Sequence, residues 1–295
     1  MRYQQITERD LAVILSVYKH RYLTGGQIQT LHFPSETVRN RRLKRLIDHG
    51  FLKPFEILNI PFRLFRLTKK GADLVAYTLE VSTEDLLWKP NAKDPKDYYF
   101  MRHFVATNDF RITLTRACEA RDDGLTLRGF IPENYGAKHL SGKVTKYIKD
   151  VAFDIHDPRE QISHTPDSVF CLGKGDRSAL FFLEIDRGTE VLSNRDKGVL
   201  KMIRFFLGYA KDGTFSGYAE DFKAEPFKTF RVLIVTTSTK RLQNMRQASS
   251  SLPPDVHQKL RFFWGTTFDD ITPSSIFTPI WRSMNSQDDK VYKLG

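Results

Sequence analysis

"HTPDSVFCLGKGDRSALFFLEIDRGTE" spans residues 164–190 and decides how the second half of the chain is built. "DSVFCLG" and "ALFFLEID" are apolar on both faces, the pattern of central strands covered on both sides, and "GKGDRS" between them supplies a turn. Asp167, Glu184 and Asp186 interrupt that pattern. A carboxylate that leaves water costs several kcal/mol unless a cation meets it. Alternation places Glu184 and Asp186 on one face, and pairing of the two strands brings Asp167 beside them. Three such carboxylates repel one another. A divalent cation with hard oxygen ligands, Mg²⁺ or Mn²⁺, resolves the conflict and would ready a water for attack on a phosphodiester. Lys197, on the next helix, is placed to hold the scissile phosphate. The plainer alternative has Asp186 paired with Arg187 and Asp167 bonded to a backbone N–H.

Outward from this stretch the chain alternates helices and strands. "MRHFVATNDFRITLTRACEAR" is helical, with His103, Phe110, Leu114 and Ala117 on one face, and "LTLRGFIPE" follows as a strand. A helix is expected from about Asn194 to Ala210, with Lys197, Lys201 and Arg204 together away from its apolar side. "FRVLIVTTS", "KRLQNMRQASSSL" and "KLRFFWGTT" read as strand, helix and strand. The order predicts an α/β domain with a mixed central sheet over residues 100–282, followed by a frayed tail, 283–295.

The first 71 residues differ in character. They hold 14 Lys/Arg against 5 Asp/Glu, a net +9 of the chain's +11, which points to a polyanionic partner. "TERDLAVILSVY" opens with a capping box, Thr7 and Asp10. A short helix starts near Thr24, and Ser35 caps a third, "SETVRNRRLKRLIDHG". At 100° per residue, Val38, Leu43, Leu46 and Ile47 share one side of that helix. Asn40, Arg41, Lys44 and Arg45 lie on the other, with Arg39 and Arg42 nearer the apolar stripe. Two strands carrying Lys53, Arg63 and Arg66 follow as a wing. Residues 1–81 are therefore expected to form a winged helix-turn-helix domain that binds double-stranded DNA, joined by a linker, 82–99.

Other chemistries lack their residues. Cys118 and Cys171 are the only cysteines, so a disulfide framework or thiolate zinc site is excluded and a reducing cytoplasm is expected. No apolar run approaches the roughly 20 residues that cross a bilayer, and the N-terminus lacks a signal-peptide layout.

The segments "ITERDLAVI", "LTGGQIQTLHF", "RRLKRLIDHGFL", "RLTKKGADL", "HFVATNDFRI", "TPDSVF", "FLEIDRGTE" and "FTPIWR" resemble the replication-relaxation family of bacterial plasmids and mobile elements. The resemblance implies a restriction-endonuclease-like fold similar to that of certain conjugative relaxases. It implies a DNA-nicking site of His103, Asn108, Asp109, Asp167, Glu184, Asp186 and Lys197, and replication or transfer machinery as partners. Pro166-Asp167 followed by Glu184-Ile185-Asp186 is similar to the PD-(D/E)xK nuclease core, but Asp186 stands where that pattern has lysine. His103 equally fits a core histidine. Other relaxases use a tyrosine nucleophile with a His-hydrophobe-His metal motif; none of the eight histidines here lies two residues from another. Three functions stay open: a metal-dependent nicking endonuclease, an inert DNA-binding accessory protein, and a winged-helix transcriptional regulator.

Overall fold

The computed structural model describes residues 6–86, 88, 97–133, 135–138, 144–188, 192, 194 and 196–294. The chain divides into two compact units, Met1–Ile112 and Thr113–Gly295.

The first unit runs α1 (Glu8–His20), β1 (Leu23–Thr24), α2 (Gly25–His32), α3 (Glu36–Asp48), β2 (Leu52–Phe55), β3 (Leu64–Leu67) and α4 (Lys69–Leu79), and takes in the first part of α5 (Tyr98–Glu119). Local chemistry sets the starts of these helices. Thr7 with Asp10 and Thr24 with Gln27 form reciprocal capping boxes, and Ser35 and Thr68 cap α3 and α4. The antiparallel sheet has the order β1-β3-β2. Val13, Ile14 and Val17 of α1, Ile28 of α2 and Leu43 and Leu46 of α3 close one core with the sheet.

The division falls inside α5, whereas the sequence places a linker at residues 82–99; half of that stretch lies outside the described residues. Polar side chains bind the start of α5 into the first unit. Gln27 donates to the Val105 carbonyl at 3.1 Å and to Asp109 at 2.8 Å. Asn108 donates to the Tyr22 carbonyl at 2.9 Å, and Arg111 to that of Lys19 at 3.0 Å.

The second unit continues with β4 (Leu125–Pro132), β5 (Gly136–Lys138), β6 (Val144–Lys146), β7 (Asp150–Phe153), β8 (Gln161–His164), β9 (Ser168–Lys174) and β10 (Arg177–Ile185). Then come α6 (Gly198–Asp212), α7 (Tyr218–Phe222), β11 (Phe230–Thr236), α8 (Thr239–Ser249), α9 (Pro254–His257), β12 (Phe263–Thr267), β13 (Trp281–Ser283) and β14 (Val291–Tyr292). Seven strands form a mixed sheet in the order β14-β13-β12-β11-β10-β9-β4. The β9–β10 hairpin is antiparallel, whereas β10, β11 and β12 run parallel. Parallel neighbours need long crossovers; α6 with α7, and then α8, supply them. Phe182, Val232 and Ile234 pack on one face of the sheet in the same core as Ile203 and Phe206 of α6. Gly208 lets α6 approach β7 closely, since a Cβ there would stand 2.0 Å from the Phe153 carbonyl oxygen.

Two expectations are corrected. Arg204 does not share an outward face with Lys197 and Lys201. It is buried, and its guanidinium meets Asp154 at 2.7 Å, Glu160 at 2.5 Å and Asp196 at 3.1 Å, so three carboxylates offset its desolvation. Nor does the chain fray after residue 283: β14 extends the sheet, Tyr292 stacks on Trp264 at 5.0 Å, and Leu294 is buried.

Candidate functional site

Two groups of side chains have the chemistry of a site, one in each unit. In the first, burying Leu43 and Leu46 turns the opposite face of α3 outward, and Asn40, Arg41, Lys44 and Arg45 are all exposed. Lys44 reaches Asp48 at 2.7 Å, a loose surface pair that leaves its charge available. Lys53 on β2 is also exposed, opposite Arg66 of β3 in the register. Arg63 pairs with Glu56 at 2.8 Å. Arg39 is drawn back from the outer face of α3, bonding Gln29 of α2 at 3.0 Å and Glu36 of its own helix at 2.6 Å.

Arg42 departs from its expected DNA-binding role. Its Nε donates to Asp10 at 2.9 Å, and its Nη2 to the same carboxylate and to Thr7. Asp10 is 1 % exposed, so Arg42 neutralises a buried charge at the start of α1.

In the second unit, β9 and β10 pair through Leu183 and Ser168, which sets Asp167 against the end of β10. The Asp167 N–H donates to the Leu183 carbonyl at 3.0 Å, and its carboxylate accepts from the Ile185 N–H at 2.5 Å. Glu133 follows β4, and its N–H donates to the Asp167 carbonyl at 2.8 Å. The carboxylate oxygens of Glu133 and Asp167 lie within 4.8 Å of each other. Glu184 accepts a 2.7 Å hydrogen bond from His164, whose ring rests against Phe205 and Phe206 of α6 at 5.2 and 5.5 Å.

Burial by itself would lower the His164 pKa. Glu184, by charge and hydrogen bond, and Asp167 outweigh burial against the opposing Lys201, and the pKa stands above its ordinary 6.5. Stability from this raised pKa is full below pH 6.5 and is lost as pH rises through the folded-state value. Urea denaturation between about pH 5.5 and 8.5 is expected to show that decline in the wild type. His164→Gln should flatten it, and an unchanged profile would exclude the pair as its source.

Asp186 diverges from this cluster. Its carboxylate accepts two bonds from Arg241, at 2.9 and 3.0 Å, one from Thr236 at 2.5 Å and one from the Gly188 N–H at 3.2 Å. Four accepted bonds fill the capacity of a carboxylate. The burial of Asp186 is thus accounted for by a guanidinium, where the sequence suggests a metal ion. Its guanidinium partner is Arg241; Arg187 instead lies over the Phe268 ring at 5.5 Å.

His103 is half-buried on α5 in the first unit, where its carbonyl accepts from Thr107 at 3.2 Å, and Asn108 and Asp109 hold α2 and the α1–β1 turn as described above. Lys197 is exposed at the start of α6 and makes no side-chain cap. Lys201 lies one helical turn before Phe205, on the stripe that faces His164. Glu133, His164, Lys201 and Arg241 carry no motif spacing; strand pairing and helix docking bring them in. Both thiols are buried and their pKa values raised, that of Cys118 to about 11, which leaves no thiolate nucleophile. No helix among the described residues is long and apolar enough to cross a membrane.

A family model described as replication-relaxation matches residues 14–219. Among solved structures, the chain is similar to a point mutant of MarR from E. coli complexed with operator DNA. The identity is 21% and the TM-score 0.25, over 28% of this chain and 60% of that one. No curated protein matches.

Proposed function

The chain belongs to the replication-relaxation family, and we propose that it is a double-stranded-DNA-binding protein of plasmid replication or mobilisation. Its first unit is read as a winged helix-turn-helix, with α3 as the recognition helix and the β2–β3 hairpin as the wing. The observation that carries this reading is the face of α3, where Arg41, Lys44 and Arg45 stand exposed together beside Asn40. Arginine and lysine neutralise phosphates, while asparagine can read an adenine edge in the major groove. The test is titration of the full chain into a labelled duplex in the presence of chelator. Saturable binding is expected; none at about 50 mM salt would refute the assignment.

A second reading, metal-dependent nicking on a restriction-endonuclease-like fold, is favoured by the proximity of Glu133 to Asp167 and of Glu184 to the same strand end. These carboxylates fit Mg²⁺ or Mn²⁺ as hard oxygen donors, whereas Asp186, saturated by Arg241, does not. A divalent cation in such a cluster supplies an acidified water and a polarised phosphodiester. Around it, His164 orients Glu184, and Lys201 in place of Lys197 is positioned to meet a phosphate oxygen. Supercoiled plasmid incubated with Mn²⁺ should be nicked by the wild type and far more slowly by Asp167→Ala. Equal background for both would leave an inert DNA-binding domain, the reading that the missing lysine at position 186 favours.

A further inference from the structure

The face of the central sheet turned away from α6 carries a second cationic group, far simpler in its surroundings than α3. Arg231, near the start of β11, is half-buried with its guanidinium 4.8 Å from the Trp264 ring centre and 5.5 Å from that of Phe262. Arg261, exposed, lies 5.3 Å from the same Phe262 ring. Trp264 stacks in turn on Tyr292, with rings 5.0 Å apart and 13° from parallel. Among the described residues no carboxylate pairs with either arginine. Arg231 makes one long bond, 3.4 Å, to the Arg261 carbonyl, and the neighbouring acid, Asp288, is engaged by the Tyr292 hydroxyl at 2.6 Å.

A half-buried guanidinium without a counter-charge, next to a second one, is an unfavourable arrangement that an anion relieves. Burial lowers the Arg231 pKa and Arg261 lowers it further, which agrees with that crowding. The Trp264 indole N–H, on a residue 9 % exposed, also has no acceptor among the described residues.

We propose that Arg231 and Arg261, backed by Phe262, Trp264 and Tyr292, form a binding site for single-stranded DNA. The two guanidinium groups would hold successive phosphates, and their planes and the aromatic edge would receive unstacked bases. Single strands suit this geometry better than duplex. The cations lie over aromatic rings at the start of β11 and in the turn just before β12, whereas duplex bases are reached by an element that enters a groove. The site shares no residue with α3 or with the acidic cluster, so it stands whether or not either of those assignments holds.

The test is fluorescence anisotropy of the full chain with a labelled oligo-dT and, separately, a labelled duplex. The double variant Arg231→Ala/Arg261→Ala should weaken oligo-dT binding at least about tenfold. It should reduce the slope of log K against log salt by about 1.4, two single-strand phosphates' worth, and leave duplex binding unchanged. Arg261→Glu, at an exposed position that costs the fold little, should weaken oligo-dT binding in the same direction and so covers the case in which the double variant misfolds. Unchanged oligo-dT affinity in Arg261→Glu, or an equal loss for oligo-dT and duplex, would overturn the proposal.

Discussion

Replacing Arg41, Lys44 and Arg45 together by alanine should weaken duplex binding by roughly 100-fold at physiological salt, at about 1 kcal/mol for each side chain removed. The fold should hardly register the change. All three side chains are exposed, and the Lys44–Asp48 pair is a surface pair of little stabilising value. Arg42→Ala, one residue from Arg41, should behave in the opposite way. It strands Asp10, 1 % exposed, without its cation, at a cost of about 3–5 kcal/mol in folding stability. Anisotropy titration and urea denaturation of both variants separate the two roles. Equal stability losses, or a triple variant that binds like the wild type, would remove α3 as the DNA-binding element.

Asp186→Ala is the second change with a large expected effect, and its sign is informative. Asp186 is buried and receives both arms of Arg241, which is itself 17% exposed. Removing the carboxylate takes both of these charge-assisted bonds from a largely buried guanidinium and leaves the Thr236 hydroxyl without this acceptor. Stability should fall by about 3–5 kcal/mol. Adding Arg241→Met should recover part of that loss, because the charge left behind is then removed as well. A carboxylate crowded among other carboxylates at a metal site predicts the reverse: in chelator, its removal relieves repulsion and raises stability. Denaturation of Asp186→Ala in chelator therefore distinguishes an ion-pair role from a ligand role.

Much of the fold was legible because it is local. The caps at Thr7, Thr24 and Ser35 act within three residues of themselves, and β9 and β10 are joined by a short turn, so the meeting of Asp167 with the end of β10 follows from pairing alone. What was not legible depends on distant partners. Arg42 meets Asp10 from 32 residues away, and Arg241 meets Asp186 from 55. His164 enters the acidic cluster through the β7–β8 hairpin and the packing of α6. The limit of the first unit depends on Gln27 and Asn108 binding across 78 and 86 residues to fasten α5. Helical periodicity placed Arg204 with Lys201 because it registers side chain type and angle; the three carboxylates that draw Arg204 inward come from other segments.

The salt dependence of duplex binding tests the central claim most directly. Log K for the full chain, measured in chelator from about 50 to 200 mM salt, should fall linearly with log salt. The slope of the Arg41→Ala/Lys44→Ala/Arg45→Ala variant should be shallower than that of the wild type by up to about 2.7, some 0.9 for each phosphate no longer neutralised. Identical slopes for the two proteins, or wild-type binding indifferent to salt, would contradict the account.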